Sequence, residues 1–384
     1  MKILYHHRTL GDGAEGIHVR EMVRAFRALG HEVKVIGPVG ETPPEASKRF
    51  RFLDRIKRAV PAFVYELLEM GYTAYSYLLV RHQVRCFRPD FIYDRYITFN
   101  AGVVLAARRA GVPVCLEVNA PLALERSGEQ DERLTFKRIA ARMERWICSN
   151  ATHTIVVSTP LKTYLESVGV PAGKCVVMPN GADPDKFRER PKSEGLVRSL
   201  GIPPDAFVVG FTGVLRPWHG LDLLIRAVAR FNRDAPDVRV LVVGDGPYRP
   251  ALEQIAREEG VAEQLIVTGR IPHDSVPEYV ALFDVAVSPK ATFYASPMKV
   301  IEYMGLGKAV VVPNPPNFLD IVDEDSSGIT FRDGDAGDLA RALRELYVNR
   351  DRCTRLGRGA RKKVEDRLNW QWNAREVCRL VQAP

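Results

Sequence analysis

The sequence offers little to metal chemistry, to secretion or to membrane crossing. Its six cysteines among 384 residues (Cys86, Cys115, Cys148, Cys175, Cys353 and Cys378) are scattered, with no CxxC pair. That spacing excludes a zinc-ribbon or dithiol redox motif, and several of the six lie in apolar runs, which predicts buried thiols in a reducing cytoplasm. The longest apolar stretch, Ala59 to Val80, carries Pro61, Glu66 and Glu69, so no membrane span is expected. Met1 to Tyr5 enters a strand at once, which predicts no signal peptide and a cytoplasmic location. Low-complexity tracts are missing. Asp-x-Asp at Asp183-Pro184-Asp185, in a linker region, and at Asp323-Glu324-Asp325, in a polar loop, lacks a setting that suggests a manganese site, so no metal is expected.

Basic charge is plentiful. The net charge is +8, with 46% apolar and 27% charged residues. This composition is that of a soluble globular protein with anionic partners. Lys48, Arg49, Arg51, Arg55, Lys57 and Arg58 precede an apolar, aromatic, helix-like stretch over 61–80. The combination suits an anionic membrane surface, and equally a solvated face beside a core helix. Nucleic acid is not expected, because no binding module accompanies the charge and the only dense basic helix is Arg358 to Lys363.

A chain of this length is expected to form two domains. Its first half alternates strands (3–5, 33–36, 91–93, 114–118, 154–157, 176–178) with helices (16–29, 61–80, 101–109, 132–149), up to the breaker Pro179-Asn180-Gly181. The alternation restarts with strands at 208–212, 238–243, 265–268, 285–288 and 309–312, separated by helices at 221–231, 249–259, 276–282 and 297–304. Two such runs predict an α/β protein with two Rossmann-like, doubly wound parallel-sheet domains. The boundaries are set at 1–185 and 186–365, with 189–195 as linker.

The stretch Ser296 to Val312 gathers a distinctive chemistry. Pro297 suits a first helical position, Lys299 and Glu302 share one helix face, Gly305 and Gly307 end the helix, and Ala309 to Val312 form a buried strand. A cation, a carboxylate and a helix N-terminus meet there. That set suits a nucleoside diphosphate, with positive charge and N–H groups for phosphate and a carboxylate for a ribose diol.

Motifs over nearly the whole chain resemble the retaining GT-B glycosyltransferases of family four (glycosyl transferases group 1). They are Gly13-Ala14-Glu15-Gly16-Ile17-His18, Gly30-His31-Glu32-Val33, Met178 to Asp183, Gly210 to Gly220, Val243 to Pro247, Thr268-Gly269-Arg270-Ile271 and the 296–312 stretch. The Trp218-His219-Gly220 and Ser-Pro-x-Lys variants resemble a bacterial subgroup linked to polysaccharide and antibiotic sugar assembly. The resemblance implies two domains facing across a cleft, with an acceptor-binding first domain, a donor-binding second domain and a final helix (366–384) crossing back onto the first.

The same resemblance assigns roles. Gly213, Arg270, Ile271, the backbone of Ser296, Pro297 and Met298, and the Glu302 carboxylate would bind the donor. The usual clamp arginine and lysine positions hold Val214 and His219 here, so Arg216 is expected to be the main clamp, aided by His219 and Lys299. A phosphate-bound His219 should have a raised pKa. The usual first glutamate, eight positions before Glu302, is Tyr294. Asn119 replaces a functional histidine and would hold a sugar hydroxyl or the reacting geometry, while His18, Arg95 and Glu117 are secondary acceptor contacts. For these three, a helix-surface His18 and an Arg95–Asp94 pair are equal alternatives.

Gly11 to Gly16 also spells the dinucleotide fingerprint GxGxxG. The second strand, however, ends in Gly37-Pro38 without the acid an NAD ribose needs, and five residues separate the first strand from Gly11. Gly13 and Gly16 are therefore assigned to the donor diphosphate. The implied function is sugar transfer from a nucleotide sugar to a glycan, lipid-linked or small-molecule acceptor, with no cofactor. A nucleotide-sugar epimerase and a non-enzymatic nucleotide-sugar-binding protein are the alternatives.

Overall fold

The computed structural model describes residues 1–9, 13–37, 60–128, 134–232 and 235–382. The basic run over 48–58 lies outside them. The chain divides into two compact units, Met1–Met178 with Trp370–Pro384, and Pro179–Asn369.

The first unit runs β1 (Lys2–His6), α1 (Ala14–Ala28), β2 (Glu32–Ile36), α2 (Ala62–Phe87), β3 (Phe91–Arg95), α3 (Gly102–Ala110), β4 (Val114–Val118), α4 (Leu122–Glu125), α5 (Lys137–Asn150), β5 (His153–Val156), α6 (Thr159–Ser167) and β6 (Cys175–Val177). Its sheet is six-stranded and parallel, in the order β2-β1-β3-β4-β5-β6. β4 is buried along its whole length, as a strand covered on both faces must be.

The second unit runs α7 (Glu194–Ser199), β7 (Phe207–Thr212), α8 (Leu221–Asn232), β8 (Val238–Val243), α9 (Arg249–Glu258), β9 (Leu265–Val267), α10 (Val276–Ala281), β10 (Val285–Val287), α11 (Met298–Gly305), β11 (Ala309–Pro313), α12 (Pro316–Leu319), β12 (Gly328–Phe331), α13 (Ala336–Val348) and α14 (Arg350–Asp366). Its parallel sheet has the order β12-β11-β10-β7-β8-β9. The order reverses between β7 and β10. In open α/β sheets the crevice at the carboxyl ends of such strands is the usual ligand site.

The closing helix α15 (Trp370–Gln382) belongs to the first unit. It packs on α1, with the Trp370 ring edge-on to His18 at 4.6 Å and Cys378 Sγ 3.2 Å from His31 Nε2.

Each strand read from the sequence is present, and β12 is an addition. Four residues opening on glycine after an acidic loop give too short a pattern to read. α5 starts at Lys137, among described residues, rather than near 132. Pro297 is the N-cap of α11 and Met298 its first residue, one position later than expected.

Two glycine loops at the carboxyl ends of β7 and β8 lie backbone against backbone. Gly213 N–H donates to the Val243 carbonyl and Leu215 N–H to the Asp245 carbonyl, each at 3.0 Å. Gly244 sits at φ +145°, and a Cβ there would collide with the Gly213 carbonyl oxygen. Gly244→Ala should therefore cost about 1–3 kcal/mol of stability, read as a lower urea midpoint at unchanged m.

Candidate active site

In the second unit, α11 is fastened to the end of β7. The fully buried Tyr303 hydroxyl accepts the Thr212 N–H at 2.6 Å and meets Thr212 Oγ1 at 2.9 Å. One turn earlier on the same helix face, Lys299 extends over the Phe211 ring, with Nζ 4.1 Å from its centroid. Gly213, at φ +141°, lies beside that ammonium, and a Cβ there would stand 2.9 Å from Nζ. The amine thus occupies the switch-point crevice, next to a loop with no side chain to shield it. Burial lowers its pKa to about 7, against the Glu302 carboxylate, which pulls it up.

His219 lies beyond Phe211, at 5.6 Å between ring centroids. Its Nδ1 is buried without a hydrogen-bond partner. Desolvation, then Lys299 and Arg216, push its pKa down to about 4, against a hydrogen bond to the Val214 carbonyl. The raised value expected above is that of a phosphate-bound ring; in the unliganded chain burial and the neighbouring cations hold it low. Arg216 is exposed and stacks on Trp218, 5.4 Å from the ring centroid. This concentration of positive charge, with an unpartnered buried nitrogen, is the electrostatic complement of an anion.

Glu302 is largely buried, with Oε1 3.5 Å from His273 Nε2. Ser296 is also buried. Its hydroxyl accepts the Asn180 N–H at 3.0 Å and its carbonyl accepts Asn180 Nδ2 at 2.8 Å. The serine side chain is thus engaged in fixing the loop before α11, which carries no side-chain cap on its first N–H groups. Ile271 packs on the core, whereas the Arg270 side chain is exposed.

In the first unit, His18, Arg95, Glu117 and Asn119 converge. Arg95 donates to Glu117 Oε1 at 2.8 Å and lies 3.1 Å from His18 Nδ1. His18 Nε2 is 3.2 Å from the same oxygen, and Asn119 Nδ2 also donates to it. Burial alone would raise the Glu117 carboxyl. His18 and Arg95, with hydrogen bonds from Asn119 and Tyr93, outweigh it and hold the group below the usual range. Neither alternative for these side chains holds: His18 is buried, and Arg95 faces Glu117 rather than Asp94. Strand alternation explains the choice, since consecutive residues point to opposite faces. Asp94 instead pairs with His6 at 2.7 Å, and His6 Nε2 reaches the Tyr72 hydroxyl at 3.2 Å.

Gly13 caps α1 without a side-chain bond. The Glu15 carboxylate occupies the space a Cβ on Gly13 would take. An acid thus lies at the helix N-terminus where the diphosphate role was assigned to Gly13 and the buried Gly16. Among the described residues no cluster of three metal-type ligands occurs, and no helix is long and apolar enough to cross a membrane.

Sequence reasoning missed Phe211, Tyr303, His273, Lys186 and the His6–Asp94–Tyr72 group. Phe211, in the Gly210 to Gly220 motif, and Tyr303, adjoining Glu302, lay inside recognised motifs. The others are joined to their partners by strand register or by loops distant in sequence.

Two parallel six-stranded sheets in series, with glycine loops and cations at one switch point, define the GT-B architecture. Residues 15–186 match the family described as Glycosyltransferase Family 4 and residues 193–363 match Glycosyl transferases group 1, so the chain belongs to this glycosyltransferase family. It is 28% identical over 243 residues to a GDP-mannose-dependent alpha-(1-6)-phosphatidylinositol monomannoside mannosyltransferase of Mycolicibacterium smegmatis, covering 62% of this chain and 63% of that one. It is 27% identical over 275 residues to the 2-deoxystreptamine N-acetyl-D-glucosaminyltransferase of Streptomyces fradiae, covering 70% and 65%. The match thus spans just under two thirds of these relatives' lengths. The fold matches Anabaena Alr3699/HepE in complex with UDP over 99% of both chains, at 19% identity and a TM-score of 0.74. It also matches the sucrose-phosphate synthase of Thermosynechococcus elongatus over 99% and 98%, at 20% identity and a TM-score of 0.71.

A lysine with a pKa near 7 makes anion binding pH-dependent in the neutral range. Affinity for a nucleotide sugar, whose diphosphate diester keeps its charge, should fall about tenfold between about pH 6 and 8.5 as Lys299 loses its proton. Lys299→Arg should flatten the profile, read by titration calorimetry. An unchanged fall in that variant would remove Lys299 as the cause.

Proposed function

We propose that the protein is a retaining glycosyltransferase that moves a sugar from a nucleotide-diphosphate sugar to a hydroxyl acceptor without a metal. The observation that carries this reading is the crevice at the β7–β10 switch point. There Lys299 lies beside a bare Gly213, His219 stands against Phe211, and Glu302 projects from the same helix as Lys299. The diphosphate would lie against Lys299, His219, Arg216 and the first N–H groups of α11, with Glu302 on the ribose diol. The bond from the sugar's anomeric carbon to the diphosphate breaks as the acceptor oxygen bonds on the same face, and the acceptor's proton passes to the leaving phosphate oxygen. Lys299 and Arg216 would stabilise the charge that develops on this leaving group. The relatives' names, which include mannosyl and N-acetylglucosaminyl transfer, support the reaction class.

In the first unit the Glu117 cluster supports a positioning role for Asn119, whose amide is oriented by the Glu117 carboxylate. Lipid-linked glycan is the favoured acceptor class. Phe63, Leu67, Leu68, Tyr75 and Leu78 of α2 stand 47–63% exposed, with the exposed Arg81, Arg85 and Arg88 beyond them. An apolar stripe beside cations matches an anionic bilayer surface.

Thermal stability measured with a panel of nucleotide sugars should identify one that raises Tm, and free nucleoside diphosphate should then appear only with an acceptor. Glu302→Ala should abolish the stabilisation. A panel without any stabilising donor would overturn the reading, and isomerisation of the donor without acceptor would favour an epimerase.

For the membrane, co-sedimentation with vesicles containing phosphatidylglycerol should exceed that with phosphatidylcholine alone. Leu67→Gln with Leu78→Gln should lower it at least about threefold, each buried leucine being worth roughly 1.5–3 kcal/mol. Equal sedimentation of the double variant would argue against this surface.

A further inference from the structure

The loop after β9 brings a histidine onto the Glu302 carboxylate. His273 Nδ1 lies 3.0 Å from Lys186 Nζ, and the lysine also pairs with Asp274 at 2.7 Å. An ammonium has only donors, so Nδ1 must accept, and the proton of the neutral imidazole is then fixed on Nε2. That N–H stands 3.5 Å from Glu302 Oε1. The His273 ring is itself held edge-on against Phe187 at 6.1 Å between centroids. Lys186, His273 and Glu302 therefore form a line in which each donor orients the next group, drawn from three segments separated by 87 and 29 positions in sequence.

A carboxylate that binds a vicinal diol must present its acceptor lone pairs in one fixed orientation, because each charge-assisted hydrogen bond depends on direction. The side chain of a glutamate has three rotatable bonds, and fixing it from one oxygen leaves the second to the ligand. We propose that His273, with its tautomer set by Lys186, is a positioning residue that holds Glu302 for the donor ribose. This rests on the reading of Glu302 as the ribose ligand.

The test is the ratio of Kd for a 2′-deoxynucleoside diphosphate to that for its ribonucleotide, measured by titration calorimetry with UDP, GDP and ADP against dUDP, dGDP and dADP. For the base that binds best, the wild-type ratio should be about tenfold or more, since a hydrogen bond to a charged group contributes about 1.5–3 kcal/mol. Glu302→Ala should bring it to about one. His273→Leu should lower it at least about threefold, Lys186→Met should lower it less, and His273→Gln, whose amide can donate from near the Nε2 position, should restore it. In the Glu302→Ala background His273→Leu should change nothing further. A ratio that depends on Glu302 but ignores His273→Leu would overturn the proposal alone, as would equal weakening of both nucleotides. A ratio unaffected by Glu302→Ala would overturn the ribose reading and the proposal with it.

Discussion

The bond between Tyr303 and Thr212 is the constraint on which the rest of the candidate site depends. It ties α11 to the last residue of β7, at the point where strand order reverses. Lys299 and Glu302 inherit their positions from that attachment, because both belong to the same short helix. Without it, an amine partly stripped of water would have no reason to stay over Phe211 beside Gly213. Keeping a lysine where burial depresses its pKa is unfavourable for folding, and such an arrangement persists where the charge answers a ligand.

The two units handle polar groups in opposite ways. In the first, Glu117 collects His18, Arg95 and Asn119 around one oxygen, so the charges compensate one another inside the protein. In the second, cations gather with little opposing charge, and His219 keeps a buried nitrogen without a partner. A self-compensated cluster gives a rigid frame, whereas an uncompensated one leaves binding energy for an anion. That contrast, more than any single residue, distinguishes the two sets of side chains the sequence nominated together.

Much of the fold was legible because parallel strands buried on both faces read as short apolar runs, such as Ala309–Pro313 and Val238–Val243. Pairing order and register are not local properties, so the meeting of Arg95 with Glu117 across β3 and β4 could not be read from a pattern of neighbours. Lys299 and Glu302 were found because helical spacing places them together. The low pKa of His219 in the unliganded chain was not legible in its own loop. A pKa depends on everything packed around the ring, and Lys299 lies 80 positions away. His273 escaped for the same reason, its proton being set by a lysine on another loop.

The glycine loops carry an evolutionary consequence. Where Gly244 and Gly246 pass within contact of neighbouring backbone, a side chain meets main-chain atoms that have nowhere to go, and at Gly213 it would meet the Lys299 ammonium at a backbone angle of φ +141°. These positions are sterically closed to substitution, and change is accommodated more readily elsewhere. The exposed side chains around them, Arg216, Trp218 and Arg270, have that freedom. Substitution is thereby tolerated at the rim and constrained on the floor.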